Sequence, residues 1–184
     1  WDLNMTSGIV VLSFSESVSA ASFKPAKVMF LSSLACPDGS RLTYPTANDA
    51  AFGGSVVLAN GPVLTWTLTD TDLNNLKRID NLATVDTDSY IAFQENAFQD
   101  IARNENADLP GFTNDCTVSA LPFAVKVTTF FADNKAPEIE SWTFNLNDAK
   151  LTLVFSEVVR LNTLNINALK IANADNSASE ALTT

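Results

Sequence analysis

Apolar and polar residues alternate with a period of two along most of this chain, and the alternating runs are rich in β-branched and aromatic types. Such alternation sends successive side chains to opposite faces of a strand and marks half-buried β-structure. Gly8–Ser15 predicts a strand with Val10, Leu12 and Phe14 on one face and Val11, Ser13 and Ser15 on the other. Ala26–Ser33 predicts a second. Shorter strands are predicted at Arg41–Tyr44, Ser55–Ala59, Val63–Leu68 and Ser89–Gln94, with Pro122–Phe131 the longest. Asn60-Gly61-Pro62 is a turn signal that makes a hairpin of the two strands flanking it. The period breaks only at 69–80. There Thr69 or Asp70 can cap a helix, with Asp70 and Asp72 in its first turn and Lys77 and Arg78 in its last, the charge order that suits the helix dipole. Leu73, Leu76 and Ile79 make one apolar stripe, so a short connecting helix is expected near 70–79. Many short strands with frequent turns predict an all-β fold, a β-sandwich rather than a parallel sheet.

The pattern is written twice. Residues 1–34 align without a gap on 142–175, at an offset of 141. Trp1 meets Trp142, Asn4 meets Asn145, Leu12 meets Leu153, Phe14-Ser15-Glu16 meets Phe155-Ser156-Glu157, and Val18 meets Val159. Apolar character persists where identity fails, as at Leu3 and Phe144, Val10 and Leu151, or Phe30 and Ile171. A repeat this long is architectural. It sets 1–136 as one complete unit, 137–141 as a linker containing Pro137, and 142–184 as the first part of a second unit. So short a β fragment can hardly bury enough surface to fold alone. Its sheet is therefore expected to be completed either by further chain or by strands of another subunit.

Composition narrows the function. Charged residues are only 17% of the chain, against about 25% in an ordinary soluble domain. The net charge of −10 supplies no basic footprint for phosphates, so nucleic acid is not an expected partner. No apolar run reaches the 18 residues of a membrane span, so membrane insertion is not expected. The sequence opens on Trp1 with no signal-peptide pattern, as a mature protein or an excised segment would. It has no histidine, which removes the commonest general base and metal ligand. No enzyme is expected.

Leu12-Ser13-Phe14-Ser15-Glu16-Ser17-Val18, repeated as 153–159, resembles the L-x-F-S-E-x-V motif of bacterial-type Ig-like tandem repeats in large surface proteins. Asp100-Ile101-Ala102-Arg103-Asn104 resembles the later D-x-x-G-N turn of those repeats, with Arg103 in place of the usual glycine. That replacement predicts a turn that is altered or strained. Asp133-Asn134-Lys135-Ala136-Pro137 is similar to their acidic junctions. The resemblance implies Ig-like β-sandwich repeats in an extracellular filament, surface appendage or stalk, with neighbouring copies or repeats of the same protein as partners. The alternative is a cell-adhesion or glycan-binding surface module, with Trp1, Trp66 and Trp142 as candidate sugar platforms.

Few residues carry candidate chemistry. Cys36 and Cys116 are the only cysteines, and an even count in a chain that looks secreted suggests one disulfide. The bridge would close a loop of about 80 residues, stabilising by roughly 4 kcal/mol on the chain-entropy account; two separate thiols are the other reading. Asn4-Met5-Thr6 is a glycosylation sequon, of consequence only in a eukaryotic source. No cofactor is expected, with calcium as the one cation the acids suggest. Its candidate ligands are Asp133 and Asn134 with Glu138, or Asp70 and Asp72, or Asp86 and Asp88, although helix caps and turns also explain Asp70, Asp72, Asp86 and Asp88. Glu16 and Glu157 recur at one repeat position, which fits a ligand or interdomain contact less well than a solvated strand end.

Overall fold

The computed structural model describes residues 1–34, 42–46, 49–57, 59–107, 124–172 and 179–181. They are mainly β-structure, with a single α-helix. The chain divides into two units, Trp1–Ala136 and Pro137–Thr184.

In the first unit, Asp2–Asn4 (β1) and Ile9–Val18 (β2) form an antiparallel hairpin in which Leu3 lies opposite Val10 and Asn4 opposite Ile9. Two 3-10 turns, Ala20–Ser22 and Pro25–Lys27, carry the chain on to Val28–Leu31 (β3). These turns escape a period-two reading because each is only three residues long. Thr43–Tyr44 (β4), Ser55–Val56 (β5) and Gly61–Thr67 (β6) follow. β5 and β6 pair as the expected hairpin, although Gly61 and Pro62, read as turn residues, belong to the strand.

The helix, Asp70–Lys77 (α1), starts where Thr69 Oγ1 accepts the Asp72 backbone N–H at 3.0 Å and donates back to the Asp72 carboxylate at 2.6 Å. That reciprocal cap satisfies an orphan amide of the first turn. Leu76 is buried, and Leu73 and Ile79 pack on the core.

Tyr90–Phe93 (β7), Val125–Lys126 (β8) and Thr129–Phe131 (β9) complete the unit. One sheet runs β5-β6-β2-β1-β9, with β9 parallel to β1, and the other runs β4-β3-β7-β8. Of the long strand expected over 122–131, residues 122–123 lie outside the described residues and the rest is two strands in different sheets; among the described residues the ten-residue β2 is the longest. Consecutive amides explain the break. Val127 N–H donates to the Ser89 carbonyl beside β7, while Thr128 N–H donates to the Trp1 carbonyl beside β1, at 2.9 and 2.7 Å.

Leu3, Val10, Leu12, Leu64 and Trp66 from the first sheet share one buried cluster with Val28, Phe30, Tyr44 and Ile91 from the second. Burial of each large apolar side chain contributes about 1.5–3 kcal/mol. Phe52 sits among them, its ring edge-on to Phe30, Tyr44 and Trp66 at 5.3, 5.2 and 5.5 Å.

The second unit begins with Ile139–Asn145 (β10) and Lys150–Phe155 (β11), an antiparallel hairpin with Phe144 opposite Leu151 and Asn145 opposite Lys150. This is the β1–β2 register shifted by 141 residues. Its 3-10 turns, Leu161–Thr163 and Ile166–Ala168, fall at the same offset from those of the first unit. Ser22 Oγ donates to the Ser19 carbonyl and Thr163 Oγ1 to the Arg160 carbonyl, each at 2.7 Å. Lys170–Ala172 (β12) then pairs with Ser179–Ala181 (β13).

Candidate functional site

The repeated motif fixes where each strand is anchored. In the first copy Phe14 packs edge-on to Phe98 at 4.8 Å, Val18 is buried, and Glu16 between them faces solvent. Strict alternation would put Phe14, Glu16 and Val18 on one face; the pairing of β2 with β6 shifts between Ser13 and Val18, and this irregularity lets Glu16 turn to solvent between two packed neighbours. In the second copy Phe155 and Val159 are half-buried and line an apolar cavity of about 310 Å3 with Leu161 and Leu164.

The β1–β2 turn is held by Asn4, whose Oδ1 accepts the Thr6 and Ser7 backbone N–H groups at 2.9 and 3.0 Å. Asn145 repeats this by accepting from Asn147 N–H at 2.9 Å. The sequon is therefore part of the fold. Its Thr6 hydroxyl lies 3.0 Å from Asn134 Oδ1 and accepts the Asn134 N–H at 3.1 Å, tying the turn to the end of the unit.

The calcium candidates are not brought into one set. Asp133 is ion-paired with Lys77 at 2.8 Å, and Asp86 with Lys126 at 3.2 Å. Asp88 accepts from Thr84 and Val85, and buried Asp72 accepts from Gly53 N–H at 3.0 Å as well as from Thr69. Asp70 is exposed in the first turn of α1, and Glu138 N–H bonds Ser156 Oγ. Among the described residues no three His, Cys, Asp or Glu side chains gather as a metal site would require. The disulfide candidates, Cys36 and Cys116, lie outside the described residues.

Asp100–Asn104 keeps a tight turn despite Arg103. Asp100 N–H donates to the Asn104 carbonyl and Arg103 N–H to the Asp100 carbonyl, while Arg103 takes φ 73°, the left-handed conformation that a glycine would adopt freely. The Asn104 side-chain amide and then its backbone N–H, at 2.6 and 2.7 Å, hold the Asp100 carboxyl below the ordinary carboxylate range. Thr46 does the same to Asp49 through its hydroxyl and then its N–H.

The largest contrast between the copies is in their apolar faces. Trp1, Leu3 and Met5 are 8%, 0% and 3% exposed, whereas Trp142, Phe144 and Leu146 at the same positions are 56%, 38% and 82% exposed. Trp66 is fully buried, so of the three tryptophans only Trp142 presents its ring. The second unit also holds a cavity of about 270 Å3, lined by Ile139, Trp142, Leu151, Leu153, Leu169 and Ile171. Monomeric surfaces rarely leave so many large apolar side chains together in water.

No protein-family model, curated protein or solved structure matches the chain. Among the described residues no helix is long and apolar enough to cross a membrane.

Proposed function

We propose that the chain is a non-catalytic structural module: Ig-like β-sandwiches joined end to end in an extracellular filament, surface appendage or stalk. The observation that carries this reading is the recurrence, at an offset of 141 residues, of one hairpin register, two 3-10 turns and their capping hydrogen bonds. Selection for a catalytic site acts on a few side chains, whereas here the scaffold itself is copied. Two sheets around one core support the sandwich assignment, and their outermost strands are only two or three residues long, which limits lateral pairing. Such a unit suits a linear array, in which each repeat meets only its neighbours.

Immunogold labelling with antibodies raised against the chain tests the assignment. Regularly spaced gold along an extracellular fibre or surface hair is expected. Labelling confined to the cell interior, without regular spacing, overturns it.

A further inference from the structure

Among the described residues β11 pairs only with β10, and its outer edge is open over six residues. An open edge beside an uncovered apolar face is a site for adding a strand. The first unit shows what such a face is built to hold. There the same edge, on β2, is taken by β6 running antiparallel, with Trp66 opposite Val10 and Leu64 opposite Leu12. Trp1 and Phe30, whose counterparts Trp142 and Ile171 line the 270 Å3 cavity, are in edge contact at 5.6 Å, and Phe52 closes against Phe30. Trp66, Leu64 and Phe52 all lie beyond the stretch of sequence that is duplicated.

We propose that the second unit is an acceptor for one kind of strand: an antiparallel segment of the Gly61–Thr67 type that places a tryptophan opposite Leu151 and a leucine opposite Leu153, with a Phe52-like ring in the adjoining cavity. The occupant is a stretch of repeat sequence corresponding to 44–136, and the inference rests on the repeat reading above. Three observations select it. The β10–β11 register matches β1–β2 residue for residue, so the edge amides of β11 are set out as those of β2 are. The cavity lining is aliphatic and aromatic apart from Lys170, which suits an apolar side chain and offers few partners for sugar hydroxyls. Leu151 and Leu153 stand where Val10 and Leu12 stand, and in the first unit those positions are covered by β6.

The test extends the full chain after Thr184 with a second copy of residues 44–136 and follows amide hydrogen exchange across Lys150–Phe155. Exchange there should slow by about tenfold or more relative to the unextended chain. The protection should vanish when the appended counterparts of Leu64 and Trp66 are changed to Ser. It should survive the same change at the counterparts of Val63 and Thr65, which alternate to the other face. Should the extension fail to fold, a synthetic peptide of residues 52–68 added in excess to the unextended chain reads the same edge, with β11 protected. Exchange at β11 that stays fast in both formats overturns the proposal. So does protection in the unextended chain that grows with its concentration, because a second copy would then hold the face. An extended chain that unfolds as two equal units with β11 unprotected removes the strand assignment alone. The filament reading falls only by the labelling result.

Discussion

Gly8 and Ala149 occupy one position in two copies of the same hairpin, and both take the left-handed conformation, with φ of 68° and 49°. Glycine adopts it freely, but a residue with a Cβ pays roughly 1–2 kcal/mol. Ala149→Gly should therefore stabilise the β10–β11 hairpin by up to about 1 kcal/mol, part of the gain being lost to the greater freedom of the unfolded chain. Gly8→Ala should destabilise the first unit by about 1–2 kcal/mol, since its new Cβ would also lie 3.3 Å from Leu73 Cδ2 and 3.4 Å from Leu68 Cβ. Hydrogen exchange over 139–155 reads the first variant and denaturant unfolding the second. Equal responses in the same direction would contradict the shared geometry.

Gly54 is more tightly bound to its place. At φ 104° its missing Cβ would fall 2.1 Å from the Thr67 carbonyl oxygen and 2.8 Å from Trp66 Nε1. Trp66 is fully buried and donates that Nε1–H to the Gly53 carbonyl at 2.8 Å. Gly54→Ala must therefore displace backbone and break the indole's hydrogen bond together, for a loss of about 3 kcal/mol or more. An unchanged urea midpoint would show that the β5 segment can move away without disturbing the core.

Strand positions were legible in β2 and β6 because each buries mainly one face, and half-burial imprints a period of two; β3 and β7 also bury Leu31 and Ala92 on their other face, and their apolar, β-branched and aromatic content marked them instead. The helix was legible from Thr69 and the charge order that follows it. What alternation cannot carry is the partner of each amide, and that is why 122–131 read as one strand when Val127 and Thr128 donate to different sheets. The Arg103 turn was half legible: its spacing marks a turn, but the local hydrogen bonds of Asp100 that hold a left-handed arginine do not show in the motif. The hairpin and turns of the second unit were legible from the duplication, since the residues that set them recur at one offset. Which of its side chains stand uncovered required the structure.

Lys77 and Asp133 join the last turn of α1 to the end of the first unit at 2.8 Å, with side chains 11% and 29% exposed. Partial burial should make this pair stronger than the usual surface ion pair, with a coupling of about 1 kcal/mol in a double-mutant cycle of Lys77→Met and Asp133→Asn. The coupling should shrink only modestly in high salt, because a pair shielded from solvent is poorly screened. With the ammonium already at the carboxylate, calcium and a chelator should give the same melting temperature. A rise on adding calcium would restore Asp133 as a metal ligand.

Asp100 and Asp49 give the fold a dependence on acid. Each carboxylate accepts hydrogen bonds that only its ionised form accepts fully, so each folded pKa lies below the unfolded one. The stability they contribute is thus fully present above the ordinary aspartate value of about 3.9, and it is lost as pH falls through the lower folded values. In a carboxyl NMR titration Asp100 should have its midpoint below the ordinary aspartate range, because the Asn104 side chain and backbone N–H hold its ionised form. Asp100→Asn should flatten the slope of stability against pH in the acid range without abolishing it, because Asp49 still titrates there. Arg103→Gly relieves backbone strain in the same turn and should shift stability equally at every pH. If Asp100→Asn leaves the acid slope unchanged, the Asn104 hydrogen bonds are not what holds the carboxylate ionised, and the turn depends on its backbone bonds alone.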